Sequence, residues 1–118
     1  MDKRLTGAYG EVYTARYLRV NGYDIIDANF RCRMGEIDII ASDKKYICFV
    51  EVKTRDEDAV YSAREAVDEA KQKRIIKTAR FFLSGNKTYL QPRFDVAEVY
   101  MKDGKAVSFN YIKNAYSG

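Results

Sequence analysis

The spacing of hydrophobic positions changes several times along the chain, and each change marks a predicted element. Residues 4–20 repeat apolar side chains at the 3.6-residue period of an amphipathic helix, and Asn21-Gly22 is a suitable left-handed stop. The apolar positions of this helix are Ala8, Val12, Ala15 and Leu18. Three runs rich in Ile, Val and Phe then predict strands at residues 23–32, 35–41 and 46–53.

A second helix and two more strands are predicted in the rest of the chain. Ser62-Ala63-Arg64-Glu65 matches a capping box that opens a helix over residues 62–84, and Gly85-Asn86 ends it. Residues 94–101 and 105–112 read as strands around the hairpin signal Asp103-Gly104. The order α-β-β-β-α-β-β predicts an α/β fold, with one mixed sheet flanked by helices.

Length and composition narrow the class of protein. The chain has 118 residues, which fits a single domain over residues 1–118. Hydrophobic residues make up 47% and charged residues 32% of the chain, and no apolar run approaches the roughly 20 residues of a transmembrane helix. The first residues lack the apolar segment of a secretory signal. We therefore expect a cytoplasmic protein with no membrane partner.

The chain contains no histidine. This excludes Ser-His and Cys-His nucleophilic catalysis, HExxH zinc sites and histidine-containing zinc fingers. Cys32 and Cys48 form no CxxC motif and lie in apolar runs, so we expect two reduced, packed thiols. Any hydrolytic chemistry must use carboxylates and lysine, with or without a hard metal ion.

Four charged residues interrupt the apolar strands of the central hairpin, residues 35–53. A turn centred between Lys44 and Lys45 would place Asp38 opposite Glu51 and Glu36 opposite Lys53. Strand alternation would then put all four charges on one face. The other face would carry Ile37, Ile39, Val50 and Val52. Two carboxylates directly opposite each other repel unless a cation lies between them.

This pattern suits phosphodiester hydrolysis. Oxygen ligands from Asp38 and Glu51 favour Mg²⁺ or Mn²⁺, which polarises a phosphoryl oxygen and lowers the pKa of water. Lys53 could orient that water and stabilise charge on the phosphate. Glu11 falls inside the apolar stripe of the first helix and would add a third carboxylate. The alternatives are a Glu36–Lys53 ion pair on a solvated face and a Glu11 that reaches solvent.

A set of motifs along the chain resembles the PD-(D/E)xK, restriction-endonuclease-like nucleases. More narrowly, it is similar to the uncharacterised bacterial YraN-like family, which is related in pattern to archaeal Holliday junction resolvases. The motifs are Gly10-Glu11, Ala15, Tyr17-Leu18, NFRCRMGEIDII, FVEVKTR, EAVDEAKQKR and RFDV.

The resemblance implies an αβββαβ core and assigns roles to the charged residues. Glu11 corresponds to the helical acid, Asp38 to the aspartate of the PD motif, and Glu51 and Lys53 to the ExK pair. Ile37 replaces the proline of that motif, a position that the superfamily relaxes. Related resolvases act as dimers, so the resemblance also implies a homodimer acting on branched DNA or repair and recombination intermediates.

Basic residues offer candidate phosphate contacts, in keeping with a net charge of +4. Residues 71–80 contain five basic residues and no acid. Those predicted on the polar side of the helix are Lys73, Arg74, Lys77 and Arg80. Arg31, Arg33 and Arg55 flank the hairpin. Each set is either a phosphate-binding surface or an ordinary solvated one.

Near the start of the second helix, many nucleases of this superfamily place a Gln or Lys beside the metal. Gln72 and Lys71 both match that position. Asp95 is expected to form a structural ion pair with basic side chains. The sequence thus predicts a Mg²⁺-dependent DNA endonuclease. The alternatives are a nucleic-acid-binding module that does not cleave and a scaffold that binds neither metal nor DNA.

Overall fold

Helices and strands follow one another in the predicted order α-β-β-β-α-β-β. The computed structural model describes residues 3–57 and 68–118. The elements are α1 (Lys3–Val20), β1 (Asp24–Cys32), β2 (Gly35–Ser42), β3 (Tyr46–Asp56), α2 (Glu69–Gly85), β4 (Gln91–Lys102) and β5 (Lys105–Tyr116). Strands β3, β4 and β5 are each longer than predicted.

The five strands form one mixed sheet in the order β1-β2-β3-β4-β5. Strands β3 and β4 are parallel, and the other neighbouring pairs are antiparallel. The predicted α/β fold is confirmed, and β5 extends the αβββαβ order at one edge. Asp103 and Gly104 have φ angles of 51° and 76° in the β4–β5 turn, which fits the predicted Asp-Gly hairpin.

Each face of the sheet packs against one helix. Helix α1 covers a cluster formed by Leu18, Tyr23, Ile39, Ala41, Cys48, Val50 and Ala97. Helix α2 covers the other cluster, formed by Ile37, Ile40, Ile47, Phe49, Ile75, Ala79, Phe82, Phe94 and Val96. In the part of the chain that the structure describes, no helix combines the length and hydropathy that crossing a bilayer demands.

The buried face of α1 differs from the predicted one. Ala8 is exposed and Val12 is 61% exposed, whereas Gly10, Thr14 and Leu18 are buried. The Thr14 hydroxyl donates a hydrogen bond of 2.8 Å to the carbonyl of Gly10, which satisfies a buried polar group within the helix. Leu18 and the half-buried Ala15 lie on the predicted face, whereas the first half of that face is formed by Gly10 and Thr14 instead of Ala8 and Val12.

The side chains of β2 do not alternate between the two faces of the sheet as expected at one point of the strand. Ile37 packs on the α2 side and Ile39 on the α1 side, although two residues separated by one position should share a face. The break falls at Asp38, between the β1–β2 pairs Phe30–Ile37 and Ala28–Ile39. Asn29, which lies between those β1 partners, has a left-handed φ of 56° that distorts the ladder there.

Helix α2 begins later than predicted. Asp68 is its N-cap, with extended backbone angles, and its carboxylate accepts a hydrogen bond of 2.8 Å from the backbone N–H of Lys71. The prediction of one continuous helix from Ser62 is therefore wrong, because the backbone is extended at Asp68. The capping box predicted at residues 62–65 lies outside the described residues. The stop at Gly85-Asn86 is confirmed.

Asp95 forms the predicted structural ion pair, and its partner is Arg93. The Asp95 carboxylate is fully buried and accepts hydrogen bonds from Nε and Nη2 of Arg93 at 2.9–3.2 Å. Tyr111 Oη and the Asn114 backbone N–H donate to the same carboxylate, while Arg93 Nη2 donates to Tyr23 Oη. The buried Asp95 carboxylate thus accepts hydrogen bonds on both oxygens and has a cationic partner, which makes its burial tolerable.

Candidate active site

Strands β2 and β3 separate near the centre of the sheet. Their register is the predicted one, with Ala41 opposite Cys48, and their last matched pair is Ile39–Val50. Beyond that pair, the Asp38 carboxylate accepts a hydrogen bond of 2.8 Å from the backbone N–H of Val52. A side-chain oxygen thus takes the place of a strand-to-strand bond, and the ladder opens at the acidic residues.

A cleft of about 850 Å³ lies at this opening. Helix α1 provides Glu11, while β2 and β3 provide Asp38 and Glu51. The remaining lining residues are Thr6, Gly7, Val52, Thr54, Arg55, Asp56, Met101, Lys102, Asp103 and Gly104. The structure therefore brings together the three carboxylates singled out from the sequence.

The carboxylates in this cleft repel one another. Burial, and next the charge of Glu51, raise the pKa of Asp38 to about 7, against the lowering effect of the Val52 N–H. Burial is also the main cause of a raised pKa at Glu11, where a hydrogen bond from the Asn29 side chain acts in the opposite direction. Protonation of one of these carboxylates, or a bound cation, would relieve this concentration of negative charge.

Glu51 already has a cationic partner. Lys71 Nζ lies 2.5 Å from Oε1 of Glu51, and the two side chains are 37% and 11% exposed. The sequence left Lys71 and Gln72 as equal candidates for a place beside the acidic residues. The structure shows that contact for Lys71. Gln72, the next residue along α2, is half-buried.

Lys53 is close enough to the acidic pair for their charges to act on it. Its pKa is lowered first by burial and then by the charge of Lys71, whereas Glu51 and Asp38 act to raise it. Lys53 does not line the cleft itself. It is half-buried two residues after Glu51 on β3.

The predicted basic residues fall into separate regions. Arg55 lines the cleft. Arg31 and Arg33 are exposed at the β1–β2 turn. The residues of the predicted helical stripe, all exposed on α2, are Lys73, Arg74, Lys77 and Arg80. The stripe is thus a continuous basic surface on the helix that carries Lys71.

The Glu36–Lys53 ion pair considered as an alternative is not formed. Glu36 Oε2 lies 2.9 Å from Arg31 Nε, with side chains 56% and 75% exposed. Glu36 lies opposite Arg31 in the β1–β2 ladder, so the nearest cation belongs to β1 rather than β3. Glu36 therefore belongs to an exposed pair at the edge of the acidic group.

Three features of this region were not anticipated from the sequence. Asn29 forms a side-chain hydrogen bond with Glu11. Its residue type gave a weak indication, because asparagine tolerates the left-handed backbone conformation that Asn29 adopts. Gly10 brings α1 against Thr54, which places Glu11 at the cleft. Lys102, the last residue of β4, also lines the cleft. It lies there because β4 pairs with β3, which the local sequence around Lys102 does not reveal.

A divalent ion fits the chemistry of this donor set. Within residues 3–57 and 68–118, no group of three or more Asp, Glu or Cys side chains is arranged to hold an ion as it stands. Mg²⁺ needs fewer, because it keeps several waters and takes one or two protein carboxylates. Asp38 and Glu51 supply such a pair of oxygen ligands, and their mutual repulsion favours a cation.

The mixed sheet and the carboxylates at its opening define an α/β protein with an acidic cleft between α1 and the sheet. The model of the uncharacterised protein family UPF0102 matches residues 10–99, and the chain belongs to this family. The predicted membership of the YraN-like family is thereby confirmed.

Relatives from several organisms resemble the chain along nearly its whole length. A UPF0102 protein of Caldanaerobacter subterraneus is 44% identical over 119 residues, covering 98% of both chains. One from Acetivibrio thermocellus is 44% identical over 121 residues, covering 98% of this chain and 93% of its own. One from Clostridium botulinum is 44% identical over 115 residues, covering 93% and 92%.

Proposed function

We propose that the protein is a divalent-metal-dependent nuclease that hydrolyses phosphodiester bonds in DNA. The observation that supports this most strongly is the convergence of Glu11, Asp38 and Glu51 at the opening between β2 and β3. A protein with no catalytic use for this cleft would gain little from three mutually repelling carboxylates there.

Asp38 and Glu51 would hold the ion. When bound, Mg²⁺ or Mn²⁺ supplies a Lewis acid that polarises a phosphoryl oxygen and lowers the pKa of water. Glu11, held by Asn29, adds negative charge on the α1 side of the cleft. The Val52 N–H fixes the orientation of the Asp38 carboxylate.

Lys53 would stabilise negative charge on the phosphate. Its ammonium is partly desolvated, so its charge acts more strongly than that of a fully hydrated lysine. The pKa of Lys53 is lowered chiefly by its burial, which is the direction that suits a group that positions or deprotonates a nucleophile.

Arg55 and Lys102 line the cleft and would contact the phosphates of the bound strand. The exposed α2 stripe, with Arg31 and Arg33 at the β1–β2 turn, would hold more distant phosphates. Such contacts bind the backbone of nucleic acid without reading its sequence. Branched DNA, the homodimer and a cytoplasmic single domain over residues 1–118 stay predictions from the sequence.

The second candidate is a nucleic-acid-binding module that does not cleave. One observation favours it: Lys71 already compensates the charge of Glu51, as in a site that needs no added ion. This module would bind DNA equally well with or without divalent ions. It would also tolerate neutral replacements of Asp38.

Cleavage of labelled DNA tests the proposal. The substrates are a four-way junction, a flap, a single strand and a duplex, each with Mg²⁺, Mn²⁺ or EDTA. We expect metal-dependent cleavage by the wild type, which Asp38→Asn and Lys53→Met both abolish. Lys44→Met is the control, because it removes one positive charge at the exposed β2–β3 turn. Cleavage that persists in Asp38→Asn would contradict the proposed site.

A further inference from the structure

Lys71 and Glu51 form an ion pair at the edge of the acidic cleft. The contact is short, at 2.5 Å between Nζ and Oε1, and Glu51 is only 11% exposed. A carboxylate so far removed from water is expensive to ionise alone, so the lysine is its main charge compensation. Lys71 therefore contributes at this carboxylate the positive charge that an ion would bring.

The backbone of Lys71 is held in place while its side chain keeps some freedom. Its N–H donates to the N-cap carboxylate of Asp68 at 2.8 Å, in the first turn of α2. The side chain is 37% exposed, which leaves the flexible four-carbon stem room to turn towards solvent. The ammonium can thus leave Glu51 without disturbing the helix.

We propose that Lys71 is a built-in counter-ion that a divalent cation must displace from Glu51 before it can bind. This inference rests on the proposed function, because it takes Asp38 and Glu51 as ligands of that ion. The Lys71 ammonium in contact with Oε1 opposes the binding of a metal ion at the same carboxylate. It repels the ion and it occupies an oxygen that would be a ligand. The pair therefore keeps the ion affinity of the free protein low.

Displacement also gives the released ammonium a new partner. A phosphodiester is the anion that would lie in the cleft, and lysine binds phosphate as a point charge. The substrate backbone would thus favour the released position of Lys71. Ion binding and phosphate binding would support each other, as linkage requires when both favour the same position of one side chain.

Calorimetric titration with Mn²⁺ in the absence of DNA tests the proposal. Lys71→Met keeps most of the length of the side chain and removes its charge. We expect Mn²⁺ affinity to rise by about tenfold or more, because two positive charges at this range repel each other strongly. Lys71→Gln repeats the change with a polar side chain, and Lys71→Arg should keep the low wild-type affinity. Circular dichroism checks that each variant is folded.

Lys73→Met is the matched control. It removes the same charge from the same turn of α2, but Lys73 is 70% exposed and pairs with Glu69 at 3.6 Å. Its Mn²⁺ affinity should equal that of the wild type.

The possible results separate this inference from the proposed function. Equal affinity in the wild type and Lys71→Met, lost in Asp38→Asn, would overturn the counter-ion role and leave the metal site standing. Absence of Mn²⁺ binding in folded Lys71→Met and Lys71→Gln would overturn both. Tighter binding in these two variants, absent from Lys73→Met and removed by adding Asp38→Asn, would support both.

Discussion

Gly10 of α1 lies against Thr54 of β3 with no room for a side chain between them. A Cβ on Gly10 would overlap Oγ1 of Thr54 and lie 3.3 Å from Cβ of Thr54 and 3.5 Å from Cγ1 of Val52. This contact sets the distance between α1 and the sheet, and Glu11 is the next residue along the helix.

Gly10→Ala is expected to destabilise the protein by ~1–3 kcal/mol, the usual cost of overpacking. Urea unfolding measures the change. Gly7→Ala is the control in the same helix, because its added Cβ meets no atom within 4 Å among the described residues, its own stretch of helix backbone apart. It should be neutral or stabilise by up to ~1 kcal/mol. Adding Thr54→Ala to Gly10→Ala should recover part of the loss. Equal effects at the two glycines would contradict the close approach.

Asp38→Asn is expected to stabilise the metal-free protein at neutral pH. In the folded wild type the pKa of the Asp38 carboxyl is about 7, above the ordinary value of 3.8. Well below pH 3.8 the carboxyl is protonated in both states and costs nothing. As the pH rises towards 7, the unfolded state ionises first, so the wild type loses stability relative to the variant. Asparagine keeps an oxygen to accept the Val52 N–H.

The gain should reach ~2–4 kcal/mol at pH 7.5, since one pKa unit corresponds to ~1.4 kcal/mol. Urea unfolding in EDTA at several values between pH 4 and 7.5 measures it. A stability difference that stays constant over this range would show that the carboxylate is not desolvated. Asp43→Asn, at the exposed turn where hydrogen bonds lower the pKa, should give a nearly constant difference over this range, because Asp43 titrates at and below its ordinary value of 3.8.

Breaking the Arg93–Asp95 pair should cost far more than breaking an exposed pair. Arg93→Met leaves the fully buried Asp95 carboxylate without its cation, and the expected loss is ~3–5 kcal/mol. Arg31→Met removes the same type of residue from the exposed pair with Glu36, where ~0–1 kcal/mol is expected. Thermal and urea unfolding compare the two. Similar losses would contradict the structural role of the buried network.

The two cysteines should differ in reactivity. Cys48 is fully buried, and burial followed by the charge of Asp95 raises the pKa of its thiol to about 12. Cys32 is half-buried on β1. Treatment of the native protein with iodoacetamide at pH 8 should modify Cys32 alone, and unfolding in urea should expose both. Mass spectrometry of the peptides identifies the site. Rapid labelling of Cys48 in the native state would contradict its burial.

Local sequence determined the register of the acidic hairpin. The β2–β3 turn is held by hydrogen bonds from the N–H groups of Lys45 and Tyr46 to the Asp43 carboxylate, all within four residues. Counting outward from this turn therefore placed Ala41 opposite Cys48 correctly. The same counting failed at Ile37, because the break in alternation depends on the conformation of Asn29 in another strand.

Tertiary packing determined what local patterns could not. Lys71 follows Glu51 by a long stretch of chain, and only the docking of α2 on the sheet brings its ammonium to that carboxylate. The face of α1 was misread for a similar reason. A glycine contributes nothing to a hydrophobic pattern, yet Gly10 is buried against Thr54 of the sheet.

The parallel pairing of β3 with β4 has a consequence for synthesis of the chain. Glu51 lies beside Val96 in that ladder, so its strand gains its second neighbour only after residues 91–102 have left the ribosome. Lys71 also follows Glu51 by twenty positions. A nascent chain that ends before β4 thus holds all three carboxylates but not the sheet that aligns them. The three carboxylates therefore lie at a complete five-stranded sheet only after β4 and β5 have been synthesised.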